Sequence, residues 1–295
     1  MNVSLRRVRA VAKKDFKEAS QSRALWALVV VFVAITVISV YAFAEAPELF
    51  GGQADASFEG LLFFIAAATA LFVPIAAIVA CYKSLAGERE LGSIKVLLSL
   101  PATRTDVFFG KVLGRAAVLV VAVAVGILVG LGFGAVLLGE FDPVGAAVFF
   151  VMTLVFVLVY TSIFVSLSAV TGSTARSTTY ALGFFVIFEI LWDVIPLGIL
   201  YVIEGFQLPA QVPDWYVTVA MVAPATSYFS AVNALLPDVA DDVAEEPDGV
   251  TAGGDLALDY ADAFYASAEM GFFFLAFWLA VPLAVGYYRF NDADL

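Results

Sequence analysis

Two carboxylates, Glu189 and Asp193, sit inside the apolar run Tyr180–Leu200. Four residues apart, they share one face of a helix. An acid inside an apolar span is expensive, which makes both candidates for substrate passage or proton handling. No basic residue lies deep in an apolar run to pair with them. They are therefore expected to be protonated, hydrogen-bonded or facing a polar cavity; the plainer reading is a neutral acid at a helix interface. The second concentration of polar chemistry is Gly87–Lys111, GERELGSIKVLLSLPATRTDVFFGK. Hydrolytic chemistry has no foothold. Without histidine there is no Ser-His-Asp triad and no HExxH zinc site, and no GxxxxGK[ST] phosphate loop is present. The expectation is a chain that is not an enzyme, with no catalytic residue, no metal and no cofactor of its own, whose energy comes from elsewhere. The lone Cys81 cannot form a disulfide within the chain.

The elements that must position these groups are membrane spans. The chain is 62% apolar with a mean hydropathy of +0.97. Its six long apolar runs are Ala24–Ala44, Leu61–Tyr82, Ala116–Leu138, Val144–Leu167, Tyr180–Leu200 and Met270–Gly286. A helix needs about 20 residues to cross a hydrocarbon core of about 30 Å, and in lipid the backbone must satisfy itself. The fold class is all-α: one polytopic membrane domain over residues 1–295. The A-x-A-like site at Ala42–Ala44 imitates a signal peptide, but a 23-residue leader and a run this long point to a retained span.

Charge orients the spans. Residues 1–23, 83–115, 168–179 and 287–295 hold seven, six, one and one basic residues, and the segments between hold none. Basic residues mark the cytoplasmic side, which predicts a multi-pass cell-membrane protein with both termini inside. Eighteen of the 27 acids fall in the outward segments, and Asp238–Asp262 reads as a solvated loop within an outward region, 201–269. With only six lysines, the acidic surface suggests a high-salt habitat. No nucleic-acid partner is expected.

Residues 1–23 form an amphipathic helix at the inner interface. Leu5, Val8, Ala12 and Phe16 make the apolar face, and Arg6, Arg7, Arg9, Lys13, Lys14 and Lys17 face anionic headgroups, making membrane lipids a partner. In the third run, Ala122, Gly126, Gly130 and Gly134 repeat every fourth residue. Such a small-residue face packs closely on another helix, either in this chain or in a second copy. Trp215–Leu236, interrupted by Pro224, could form a seventh span or an outward helical hairpin. A seventh span would put Arg289 outside, so the hairpin is preferred.

The cytoplasmic segment 83–111 carries the most specific pattern. Leu91, Ile94, Leu97 and Leu98 form an apolar helical face among Glu88, Arg89, Glu90 and Lys95. Leu100-Pro101 stops that helix, and Thr103 or Thr105 caps the next. Two short helices with a sharp bend would present a charged knuckle to a cytosolic partner; an ordinary amphipathic connector is the alternative. Glu88, Arg89, Glu90, Gly92, Ser93, Leu97, Leu98, Ser99, Pro101, Arg104, Asp106, Gly110 and Lys111 together resemble the signature of type-2 ABC exporter permeases. The closing Arg289-Phe290 and Asp294-Leu295 resemble that family's C-terminus. The likeness is closest to short-looped permeases without a fused ATPase, including the nitrous-oxide-reductase-maturation type, here in a haloarchaeal-like version. The resemblance implies a coupling helix docked on a separate cytosolic ABC ATPase, which binds the ATP and Mg, and a second permease copy, identical or not. It assigns docking to Glu88, Arg89 and Glu90. Glu189 and Asp193 match no motif of the family. The competing functions are a proton-coupled secondary transporter using Glu189 and Asp193, and a non-transporting membrane scaffold or sensor.

Overall fold

Lipid gives a backbone no partner but itself, and the described parts of the chain fold as helices. The computed structural model describes residues 4–50, 57–94, 102–207, 209, 213–236, 265 and 267–293, excepting the side chains of 24 and 46–50. Lys95, Leu97, Leu98, Ser99, Pro101, the acidic run 238–262 and the terminal residues 294–295 lie outside the described residues. The helices are α1 (Leu5–Ser20), α2 (Arg23–Phe50), α3 (Phe58–Cys81), α4 (Ala86–Glu90), α5 (Arg104–Leu138) and α6 (Pro143–Val170). They continue with α7 (Thr174–Phe185), a π turn (Val186–Ile190), α8 (Val194–Ile203), α9 (Asp214–Ala220), α10 (Pro224–Leu235) and α11 (Met270–Asn291).

Five stretches, in α2, α3, α5, α6 and α11, are long and apolar enough to cross a membrane. α7 with its π turn and α8 pass the same test only as a pair, bent by 56° at the break between them. The described helices thus supply five spans, or six if that pair is one broken span rather than a re-entrant loop. The bend differs from the straight fifth span expected for Tyr180–Leu200. It also ends the simple four-residue register of Glu189 and Asp193: Glu189 lies in the π turn, half-buried, and Asp193 follows it, exposed.

α6 is the hub, packing against α3, α5, α10 and α11 and burying Phe149, Phe156, Tyr160 and Phe164. Its start is fixed by Asp142, whose carboxylate accepts from the Val144 and Gly145 amides at 2.9 and 2.7 Å. Small residues let α11 approach. A Cβ on Gly286 would lie 2.6 Å from that of Ser166, and Ser162 Oγ donates to the Leu279 carbonyl at 2.7 Å. The small-residue face of α5 closes on α2 and α3 of the same chain. Ala122 is fully buried; Gly126 faces Phe32, Gly130 faces Thr36 and Gly134 faces Leu61. Thr36 Oγ1 also donates to the Gly126 carbonyl at 3.0 Å, a hydrogen bond that the missing side chain permits.

α5 begins three turns before the apolar run Ala116–Leu138, so Asp106, Gly110 and Lys111 stand on a helix and not in a loop. The cause is a capping box. Thr103 Oγ1 accepts from the Asp106 amide at 3.2 Å, and Asp106 Oδ2 accepts from the Thr103 amide at 3.0 Å. The stretch Trp215–Leu236 folds as two short helices, α9 and α10, broken before Pro224. The break is held by indoles: Trp192 Nε1 donates to the Val219 carbonyl at 3.0 Å and Trp278 Nε1 to that of Val222 at 2.7 Å.

Candidate functional site

The signature residues meet where the ends of α3, α6 and α11 come together with the starts of α5 and α7. α4 is only five residues long, and Ser168 Oγ of α6 accepts from the Leu85 and Ala86 amides at its start, at 3.2 and 3.0 Å. The three charged residues that follow each take a different neighbour. Glu88 Oε1 lies 2.6 Å from Lys111 Nζ of α5. Arg89 Nη1 donates to the carbonyls of Ala169 and Thr171 at 3.2 and 3.1 Å, at the C-terminus of α6, where a cation suits the helix dipole. Glu90 Oε2 accepts from the Thr174 amide and hydroxyl at 2.8 and 2.6 Å, at the N-terminus of α7, where an anion suits it. Adjacent residues of opposite charge thus hold opposite helix ends.

Arg104 repeats the device on α11, donating to the Asn291 and Ala293 carbonyls at 2.5 and 2.7 Å. Asp106, beyond its capping role, pairs with Arg7 Nε of α1 at 2.9 Å. After Glu90 the chain turns at Gly92, whose φ of +69° is left-handed and suits glycine. That turn separates two residues read as one apolar face: Leu91 is 83% exposed, whereas Ile94 is 1% exposed and packs into the main core. Ser93 is exposed beside Leu91.

Beneath α4 lies a buried ion cluster. Lys111 Nζ, held by Glu88, also lies 2.8 Å from Asp15 Oδ1. Asp15 takes a second cation, with Arg115 Nε 2.9 Å from its Oδ2 and Nη2 donating to its Oδ1 at 3.1 Å. Arg115 Nη1 donates to the Ala80 carbonyl of α3 at 2.9 Å. Asp15 is 1% and Lys111 4% exposed. Glycine permits the approach of α1, since a Cβ on Gly110 would lie 2.6 Å from that of Val11 and one on Gly114 2.8 Å from that of Asp15. The cluster thereby joins α1, α3, α4 and α5.

The model for a family described as ABC-2 family transporter protein matches residues 9–295. The chain belongs to that family. It is 25% identical over 294 residues to the probable ABC transporter permease protein NosY of Pseudomonas aeruginosa, covering 95% of this chain and 96% of that one. It is 24% identical over 211 residues to the protein of the same name from Stutzerimonas stutzeri, covering 69% and 74%. With its apolar helices, the chain is a multi-pass membrane permease subunit.

This ABC-2 permease uses α1 differently from its sequence pattern. The face turned to α5 is Val8, Val11, Asp15 and Ala19, and Leu5 is 84% exposed. Asp15 and Arg115 are the functional candidates that sequence reading missed; their signal is an acid in a basic helix and a lone arginine at the head of an apolar run. No group of three or more Asp, Glu or Cys residues able to hold a metal ion occurs among the described residues.

Glu189 and Asp193 lie apart from this cluster. Tyr160 of α6 donates its hydroxyl to Glu189 Oε1. No ion pair involves either acid among the described residues. Glu189→Gln keeps an acceptor for Tyr160 and is expected to stay within about 1 kcal/mol of the parent. Glu189→Leu strands the phenol and is expected to cost about 1–3 kcal/mol. Thermal melts of the purified permease in detergent distinguish the two.

Proposed function

We propose that the permease is the membrane subunit of an ATP-driven exporter, in which a separate cytosolic ABC ATPase docks on the α4 knuckle. Membership of the ABC-2 family and the permease names of its relatives support the class. The one-sided basic residues support placing the knuckle and both termini in the cytosol. The observation that carries the coupling role is the placement of α4: its three charged side chains reach α5, α6 and α7. A push on this short helix would be delivered to three spans at once. Because Glu88, Arg89 and Glu90 are engaged within the chain, we assign them transmission, and contact with the ATPase falls to the outward Leu91 and Ser93. A second permease copy would complete the transport path, and the substrate stays unassigned.

The test is a pull-down of tagged permease from its own membranes. Wild type should retain an ABC ATPase, and Leu91→Asp should lower the retained fraction at least about tenfold, since an apolar contact is replaced by a charge to be desolvated. Equal retention would remove α4 as the docking site. Absence of any ATPase in the wild-type sample would instead favour a proton-coupled transporter or a scaffold.

A further inference from the structure

A groove runs between α1 and α5, lined by Arg9, Ala12, Lys13, Phe16, Leu113 and Ala117. Its two cations stand one helical turn apart and are exposed. Neither forms an ion pair among the described residues, whereas Arg7 and Lys14 on the same helix pair with Asp106 and Glu18 at 2.9 and 3.6 Å. Nearby acids leave the groove positive: Asp15 is buried against Lys111 and Arg115, and Glu18 is engaged by Lys14. Its floor is apolar and open, with Leu113 52% exposed. The groove also lies where α5 passes from its charged first turns into the apolar run that begins at Ala116, the kind of composition boundary that a membrane interface favours.

We propose that this groove binds a single anionic phospholipid, its phosphodiester between Arg9 and Lys13 and an acyl chain over Phe16, Leu113 and Ala117. Charge complementarity selects an anion. The apolar floor selects a lipid over free phosphate, which would leave Phe16 and Leu113 uncovered. The site differs from diffuse adsorption of a basic helix on a charged surface because it is discrete and saturable. An occupant would brace α1 against α5 directly beside the Asp15–Lys111 pair.

Native mass spectrometry of the detergent-purified permease tests this with dioleoylphosphatidylglycerol, dioleoylphosphatidylcholine and inorganic phosphate as probes. The expected result is saturation at one phosphatidylglycerol per chain, at least about tenfold preferred over phosphatidylcholine and not displaced by millimolar phosphate. Removing both cations in Arg9→Ala/Lys13→Ala should weaken that binding about thirtyfold, about fivefold per charge, and Lys14→Ala should leave it unchanged. Should the alanine pair fail to purify, Arg9→Gln/Lys13→Gln reads the same loss while keeping polarity. Non-saturable binding, displacement by phosphate, or equal lipid retention by the double variant would each overturn the site. So would loss of a co-purifying ATPase from the double variant with lipid retention intact, since the groove would then be a protein-docking surface.

Discussion

Asp15→Asn is expected to destabilise the permease by about 3–5 kcal/mol, the range for removing one partner of a buried ion pair. Asp15 is the single acid shared by two cations, and it is 1% exposed. An amide in its place cannot balance either. Of its counter-charges Lys111 would keep only Glu88, and Arg115, still donating to the Ala80 carbonyl, would keep none. Lys111→Met is the informative comparison. Asp15 would retain both contacts to Arg115, and the acid left behind, Glu88, has a side chain 22% exposed and reachable by water. Its cost should be clearly smaller. Melting of the two variants in nanodiscs gives the order directly, and limited proteolysis should show α1 released from α5 first in Asp15→Asn. If Lys111→Met were the more damaging, Asp15 would not be the centre of the cluster.

The contrast between the spans and this cluster shows what a sequence can carry. The apolar runs were legible because lipid imposes one solution on about 20 residues at a time. The start of α5 was legible in part, since Thr103 was one of the two candidate caps and a cap needs no distant partner, while the reciprocal role of Asp106 came only with the fold. The buried face of α1 was not. Amphipathic reading sends every charge to solvent, and only the fold shows Asp15 turned inward, where two cations from residues about a hundred positions away offset its burial. The knuckle failed in a similar way: periodicity joins Leu91 to Ile94, and the left-handed turn at Gly92 parts them. The bend after the π turn did leave a mark, since Glu189, Asp193 and Pro196 cluster around it, but hydropathy taken over the whole of Tyr180–Leu200 still reads as one span.

Arg89→Met should separate docking from transmission. Its guanidinium holds the last carbonyls of α6, the hub of the bundle, and contributes nothing to the exposed Leu91–Ser93 edge. The methionine keeps the length of the side chain but none of the donors. Each lost hydrogen bond from a charged group is worth about 1.5–3 kcal/mol. The contact between α4 and α6 would therefore loosen, while the Ser168 bonds to the start of α4 remain. The expected outcome is a permease that still retains its ATPase in a pull-down and still supports ATP hydrolysis, with transport per ATP reduced at least about tenfold, the loss matching the weaker of those bonds. Leu91→Asp should do the reverse, losing the ATPase from an otherwise intact bundle. If Arg89→Met instead lost the ATPase as completely as Leu91→Asp, Arg89 would be a docking residue, and the helix-end contacts would be only the position in which it waits for its partner.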